Sequence, residues 1–214
     1  IMNPKYTANL PAYQTSAGIA DVLAHLLERY FSDEKNSDTT DYLIEGAIRA
    51  LYANAERLLK DPTNINARAE VQWLASVAHN NFLDAGRSAD WASHRIEHEL
   101  SAQYGITHGE GMAVVFVAWT KYIAKIKPWR LALLATRVYG VDSYDFNEEE
   151  RALILSDKLK DFFVKLGLKV SLTELNIDDK DFELMAQRAT KNGKVGHYEP
   201  LDAEAIVKIL NLAI

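Results

Sequence analysis

Cysteine is absent from the 214-residue sequence. Its absence excludes a disulfide framework, a thiolate metal site and a cysteine nucleophile. The lack of thiols also fits a reducing compartment, so we expect a cytoplasmic protein. Any metal site in this chain would have to use histidine and carboxylate side chains.

Long apolar runs and basic patches are missing as well. The longest apolar stretch, residues 112–119, is far shorter than the ~18 residues needed to span a bilayer, so we expect no membrane partner. The formal net charge is −6, and no basic stripe with interleaved aromatic residues occurs, so we expect no nucleic-acid partner. The remaining composition is ordinary for a globular protein of one large domain or two small ones.

Several common catalytic signatures are also lacking. No GxGxxG follows a strand pattern, and no GxxxxGK[ST], HExxH or GxSxG motif occurs. No Glu-x-x-His pair suggests a di-iron carboxylate bundle. The two glycines of Gly109-Glu110-Gly111 stand at a helix start, where we expect them to allow close packing rather than to cradle a phosphate.

Helical periodicity dominates the chain, and no alternating strand pattern is convincing. We therefore predict an all-α domain of eight to ten helices. Residues 1–14 should be extended because of Pro4 and Pro11, with Thr15 or Ser16 capping the first helix. The helix that opens at His108 is apolar on all sides in its first turns and should be central. The predicted helices are 17–31, 38–59, 65–82, 90–104, 108–125, 128–139, 147–166, 179–191 and 202–212.

Three of the six histidines lie within residues 90–111. His94 and His98 are four apart on a predicted helix, and His108 follows the turn marked by Gly105. Residues four apart share one helix face, with Cβ atoms about 5–6 Å apart, so two such side chains can reach one ion. A second pair with the same spacing, formed by Asp21 and His25, occurs on the first helix.

Both pairs fall off the apolar stripe of their own helix, which leaves two interpretations open. They occupy either solvated faces or the walls of a cleft, and the small residues that flank His94 favour a cleft. Of the other histidines, we expect His79 to be structural at an apolar helix end and His197 to be exposed in a glycine-rich connection.

Two stretches resemble the iron-containing (group III) alcohol dehydrogenase family. The sequence LPAYQTSAGIADVLAH is similar to the family's TxxGxxDxxxH motif, and DWASHRIEHELSAQYGITHGEGMA is similar to its histidine-rich motif. The tail GKVGHYEPLDAEAIVKIL also resembles the family's C-terminal pattern. The likeness is strongest to the butanol dehydrogenase branch and covers nearly the whole chain.

The resemblance implies a role for each candidate residue. Asp21, His25, His94 and His108 match the ligands of a divalent metal, Fe²⁺ or Zn²⁺. His98 matches a histidine beside substrate and nicotinamide that relays a proton, so it is the catalytic candidate rather than the partner of His94 that spacing alone suggested. The implied reaction interconverts a primary alcohol and its aldehyde with NAD(P).

The resemblance also implies that a domain is missing. The family binds its nicotinamide through a glycine-rich loop in an N-terminal α/β domain, and nothing in this sequence corresponds to that loop. We therefore expect residues 15–214 to be the helical metal-binding domain of the dehydroquinate synthase-like/iron alcohol dehydrogenase fold. Residues 1–14 would be an extended lead-in from the missing N-terminal cofactor domain. Such a chain should be inactive by itself, and the resemblance leaves a homodimer open.

Other functions are compatible with the same residues. One is a metal-dependent hydrolase, which would need a carboxylate base near the metal, whereas Glu97 and Glu99 are predicted to point away from the His94 face. The others are a non-catalytic metal-binding helical domain and a bundle that binds no metal.

Overall fold

Helices supply the regular secondary structure of the protein. The computed structural model describes residues 2–214, and this part of the chain contains no β-strand, so the all-α prediction is confirmed. Two short 3₁₀ helices cover Pro4–Thr7 and Phe82–Asp84. The α-helices are α1 (Ala12–Tyr30), α2 (Asp38–Lys60), α3 (Ile65–His79), α4 (Ala92–Tyr104), α5 (His108–Ile126), α6 (Trp129–Tyr139), α7 (Glu148–Lys165), α8 (Phe182–Ala189) and α9 (Ala203–Asn211).

Helix α5 forms the centre of the fold, as its sequence predicts. It packs against α1, α4, α7 and α9, and its residues from Gly109 to Thr120 are all buried. Trp119 is fully buried, with its ring centroid 5.0 Å from that of Phe31 at the end of α1. Among residues 2–214, none of the helices combines the length and the apolar character that a bilayer crossing requires.

The first helix begins earlier than the sequence pattern predicts. The lead-in is not wholly extended, because it contains a 3₁₀ turn, and α1 starts at Ala12 rather than near residue 17. Pro11 occupies the N-cap position, where the missing N–H group removes no hydrogen bond within the helix. Thr15 and Ser16 therefore lie inside the helix and do not cap it; the Thr15 hydroxyl accepts a hydrogen bond from Arg68 instead.

A buried ion-pair network joins α1, α2 and α6. The Asp41 carboxylate accepts hydrogen bonds from Arg130 at 2.6 and 2.7 Å and from Arg87 at 2.5 Å. Arg130 also donates to the carbonyl oxygen of Tyr30 at the end of α1. Burial alone would raise the pKa of Asp41, but the hydrogen bonds from the two guanidinium groups outweigh it and hold the pKa below its ordinary value.

Replacing Asp41 with alanine should destabilise the fold by about 3–5 kcal/mol, because it leaves two guanidinium groups without their anionic partner in the interior. Urea unfolding of the variant and the parent protein measures this difference. The matched control is Asp38→Ala in the same helical turn, since Asp38 is largely exposed and 3.8 Å from Arg137. The control should lose less than about 1 kcal/mol; equal losses in both variants would contradict the network's role.

The same network predicts a pH dependence. Because the pKa of Asp41 is lower in the folded chain than its unfolded value of about 3.9, the stabilisation is complete above that pH. The stabilisation should disappear as the pH falls through the lower pKa of the folded chain. The difference in free energy of unfolding between the parent and Asp41→Ala should therefore vanish only below about pH 4.

Candidate metal centre

The first two predicted site residues lie one turn apart on α1. Asp21 and His25 point to the same side, with 3.7 Å between Asp21 Oδ1 and His25 Nε2. Both side chains are partly buried. The face they share is therefore a cleft wall, which resolves the choice between cleft and solvated face for this pair.

His94 reaches the same place from α4. Its Nε2 lies 3.3 Å from His25 Nε2, and its side chain is almost completely buried. The ligand atoms of Asp21, His25 and His94 all lie within 4.8 Å of one another, a spacing that one metal ion could bridge.

His108, the first residue of α5, completes the cluster. Its Nε2 lies 3.2 Å from Asp21 Oδ1, and its ring centroid is 5.4 Å from that of His94. The approach depends on Gly109, because a Cβ at that position would overlap the carbonyl oxygen of Ala17 in α1. The expectation that this glycine serves close packing is thus confirmed.

The cluster has the chemistry of a cation site. Asp21 Oδ1 is buried and makes no hydrogen bond of normal geometry to any residue in 2–214, although imidazole nitrogens surround it. Burial, together with the neighbouring imidazoles, lowers the pKa of His25 to about 3 and that of His94 to about 4. Both rings are therefore neutral at physiological pH, as metal coordination requires. Hydrogen bonds to Asp21 and Glu97 raise the pKa of His108 to about 10, so this ring would give up its Nε2 proton when a metal binds. The residues present fit a divalent metal.

His98 lies beside the cluster rather than within it. Its side chain is exposed, and its ring centroid is 6.2 Å from that of His94 and 5.6 Å from that of His108. The potential ligand atoms of His98, Glu97 and His108 also lie close together. The Glu97 carboxylate, however, already accepts a hydrogen bond from His108 Nδ1. Partial burial of the ring lowers the pKa of His98.

Two buried glutamates were not predicted at this site. Glu28 on α1 accepts hydrogen bonds from the backbone amides of Trp91 at 2.7 Å and His94 at 3.0 Å, and from His94 Nδ1 at 3.0 Å. Burial raises the pKa of Glu28 to about 7, although the amides of α4 counteract it. Glu97 was expected to point away from the His94 face, and its carboxylate contacts His108 Nδ1.

The start of α4 also differs from the prediction. The helix begins at Ala92 rather than at residue 90, and Trp91 occupies the N-cap position with φ 64° and no side-chain cap. The Glu28 carboxylate from α1 takes over the role of the cap, because it accepts amides from the first turn of α4. A local sequence motif cannot reveal a cap that comes from another helix.

His79 is a further correction. It was expected to be a structural residue at an apolar helix end, yet 40 % of its side chain is exposed and its Nε2 lies 3.3 Å from Asp21 Oδ2. Its ring centroid is 3.8 Å from that of His25. No sequence signal links His79 to Asp21, because the two residues are 58 positions apart and come together only through the packing of α3 on α1.

An open pocket lies above the cluster. Its walls include Trp91, Arg95 and a loop at residues 195–197, where His197 is exposed as predicted. The loop is held by the buried carboxylate of Asp90, which accepts the backbone amides of His197 at 2.9 Å and Tyr198 at 2.8 Å. A small substrate in this pocket would contact the histidine cluster directly.

Fold and cluster together define the class of protein: an all-α domain in which three helices bring one aspartate and three histidines to the base of a pocket. Residues 15–214 match the model of the Fe-containing alcohol dehydrogenase family, C-terminal. The chain belongs to this family, as its resemblance indicated.

Similar proteins agree with this assignment. The chain is 32 % identical over its whole length to the probable NADH-dependent butanol dehydrogenase 1 of Bacillus subtilis, of which it covers 55 %. It is 33 % identical over its whole length to the NADH-dependent butanol dehydrogenase B of Clostridium acetobutylicum, of which it covers 56 %. The chain thus spans about half the length of the curated relatives it matches.

Solved structures share the fold. The aldehyde reductase YqhD from Escherichia coli superposes on 99 % of this chain with a TM-score of 0.92 and 27 % identity, and the chain covers 56 % of it. The NADH-dependent butanol dehydrogenase A from Thermotoga maritima superposes on 98 % with a TM-score of 0.90 and 33 % identity, with 54 % of that protein covered.

The packing at Gly109 gives a direct test of the site's architecture. Replacing Gly109 with alanine should destabilise the protein by about 1–3 kcal/mol, because the new Cβ meets a backbone oxygen that cannot rotate away. Gly46 in α2 is the matched control, since it is also helical but has open space around its Cβ position. Gly46→Ala should stabilise the helix by up to about 1 kcal/mol. Thermal unfolding measures both, and a neutral Gly109→Ala would contradict the close approach of α5 to α1.

Proposed function

We propose that this chain is the metal-binding catalytic half of an NAD(P)-dependent alcohol dehydrogenase that interconverts primary alcohols and aldehydes. The observation that carries the proposal is the convergence of three imidazole Nε2 atoms around the buried Oδ1 atom of Asp21. The names of the relatives, NADH-dependent butanol dehydrogenases among them, support the reaction class and the cofactor.

Asp21, His25, His94 and His108 would hold the ion through Asp21 Oδ1 and the three Nε2 atoms. A divalent cation bound there would supply a Lewis acid for the oxygen of an alcohol or an aldehyde. Three imidazoles and one carboxylate suit either Fe²⁺ or Zn²⁺, and the Irving–Williams order favours zinc at such a site.

His98 is proposed as the proton carrier. It is exposed in the pocket and stands next to two proposed ligands without sharing their central position. An imidazole there can accept the hydroxyl proton of an alcohol and release it to solvent, and it can return a proton when an aldehyde is reduced.

The partial coverage of the relatives supports a division of the whole enzyme into two regions. Residues 15–214 correspond to the C-terminal region of the family, and we propose that a nucleotide-binding region outside this chain supplies the hydride acceptor. Residues 1–14 would lead in from that region. The hydrolase alternative gains no support, because Glu97 accepts hydrogen bonds from His108 and Ser101 and is completely buried, so it cannot act as a base in the pocket.

Metal analysis of the purified chain tests the ligand assignment. After incubation with Zn²⁺ and desalting, the parent chain should retain about one ion, whereas Asp21→Ala and His94→Ala should each retain far less, because every ligand contributes to affinity. His98→Ala should retain as much metal as the parent. If His98→Ala lost metal as severely as His94→Ala, the separation of ligand and proton carrier would be wrong.

In a form of the protein that also carries the nucleotide-binding region, His98→Ala should lower kcat by about 10²–10⁴, the usual contribution of general acid–base catalysis. Steady-state rates of aldehyde reduction measure it, with metal content determined on the same samples. Unchanged turnover would remove His98 from the reaction.

The chain alone should show no dehydrogenase activity and no tight binding of a nicotinamide cofactor, because its sequence contains no glycine-rich nucleotide loop. Fluorescence titration with NADH and with NADPH is the measurement. Tight binding of either cofactor to this chain would contradict the proposed division between two regions.

A further inference from the structure

Two carboxylates are buried behind the histidine cluster, on the side opposite the pocket. Glu28 and Glu97 are both inaccessible to solvent, and each contacts the Nδ1 atom of a different histidine. Burying a carboxylate costs desolvation free energy, so a buried carboxylate needs a specific hydrogen-bond or ion-pair partner. Here the partners are the imidazoles of His94 and His108.

The Glu28 carboxylate is fixed by backbone donors. One oxygen accepts the amide of Trp91, and the other accepts both the amide and the Nδ1 of His94. Because the two amides belong to the first turn of α4, the carboxylate cannot rotate without breaking the start of that helix. Its contact with Nδ1 leaves His94 Nε2 directed at His25 Nε2, 3.3 Å away.

The Glu97 carboxylate is confined from three directions. One oxygen accepts a hydrogen bond from His108 Nδ1, and the other accepts one from the Ser101 hydroxyl. On the third side lies Gly111 of α5, where a Cβ would overlap Glu97 Oε1. His108 is thereby held with Nε2 facing Asp21 Oδ1 at 3.2 Å.

An acceptor at Nδ1 has a defined effect on an imidazole. It fixes the proton on Nδ1, leaves the lone pair on Nε2 and sets the angle of the ring. A carboxylate acceptor also makes the ring a stronger donor to a metal. Neither glutamate reaches the pocket, so neither is placed to contact a substrate.

We propose that Glu28 and Glu97 are positioning residues that hold the Nδ1–H of His94 and of His108, and so aim both Nε2 atoms at one shared metal ion. This inference rests on the proposed metal centre. It adds two residues whose contribution is to metal affinity and ring orientation rather than to the reaction itself.

Glu97 allows the cleaner experiment, because Glu28 also caps α4 and its replacement weakens the helix as well. Zinc affinity of the purified chain, measured by competition with a chromophoric chelator, should fall about 10–100-fold in Glu97→Ala. Glu97→Gln keeps an acceptor oxygen for Nδ1–H and should lose less. The matched control is Glu99→Gln, two residues away on α4, where the carboxylate pairs with Arg95 instead of a histidine.

A second readout separates positioning from general loss of structure. In the zinc-loaded parent chain, ¹H–¹⁵N NMR should show Nδ1–H protons of His94 and His108 that are hydrogen-bonded and protected from exchange. Glu97→Ala should lose the protected signal of His108 and keep that of His94, while circular dichroism stays unchanged. Glu99→Gln should keep both signals.

The outcomes distinguish the two proposals. If the parent chain binds zinc and Glu97→Ala binds it equally well with the His108 signal intact, the positioning role is wrong and the metal centre stands. If the parent chain binds neither zinc nor Fe²⁺, the metal centre is wrong and the positioning role falls with it. A selective loss of affinity and of the His108 signal in Glu97→Ala would support both.

Discussion

The contact between Glu28 and the first turn of α4 is the constraint on which the site depends. Helix α4 begins directly after Trp91, which has a left-handed conformation and a side chain that accepts none of the first amides. A carboxylate from α1 accepts two of them, so the two helices cannot slide past each other without leaving buried donors unpaired. The same carboxylate holds His94, and the register between α1 and α4 therefore also sets the distance from His94 to His25.

Small residues determine the third side of the cluster. Gly109 allows the start of α5 to lie against the backbone of α1, and Gly111 leaves room for the Glu97 side chain between α4 and α5. Close packing of helix backbones is common at glycine, but here it has a chemical result as well. It brings an imidazole at the first position of α5 to a carboxylate on α1, and the pKa of that imidazole, His108, rises to about 10 because Asp21 and Glu97 lie on either side of it.

Patterns with a local cause could be predicted from the sequence. The helix count, the central place of α5 and the pairing of Asp21 with His25 follow from 3.6-residue periodicity and four-residue spacing. The family motifs, and not the spacing, assign His98 a role different from that of His94. What could not be predicted depends on contacts between distant segments: Glu28 and His94 are 66 residues apart, and His79 and Asp21 are 58 apart. The early start of α1 could not be predicted for a different reason, since a proline fits an extended lead-in as well as the N-cap position that Pro11 occupies.

The loop at residues 195–197 has a consequence for how such a pocket can diversify. Its attachment to Asp90 uses main-chain amides, so it does not depend on which side chains the loop carries. Asp21 is the reverse case, because its side chain contacts the imidazoles of His25, His79 and His108. Substitutions at Val195 and His197 can thus alter the shape and polarity of the pocket wall while the cluster beneath stays in place. Gly196 has no such freedom, since its φ is +91° and a Cβ would press against Asp90. One wall of the pocket is free to vary in sequence, and the base of the pocket is not.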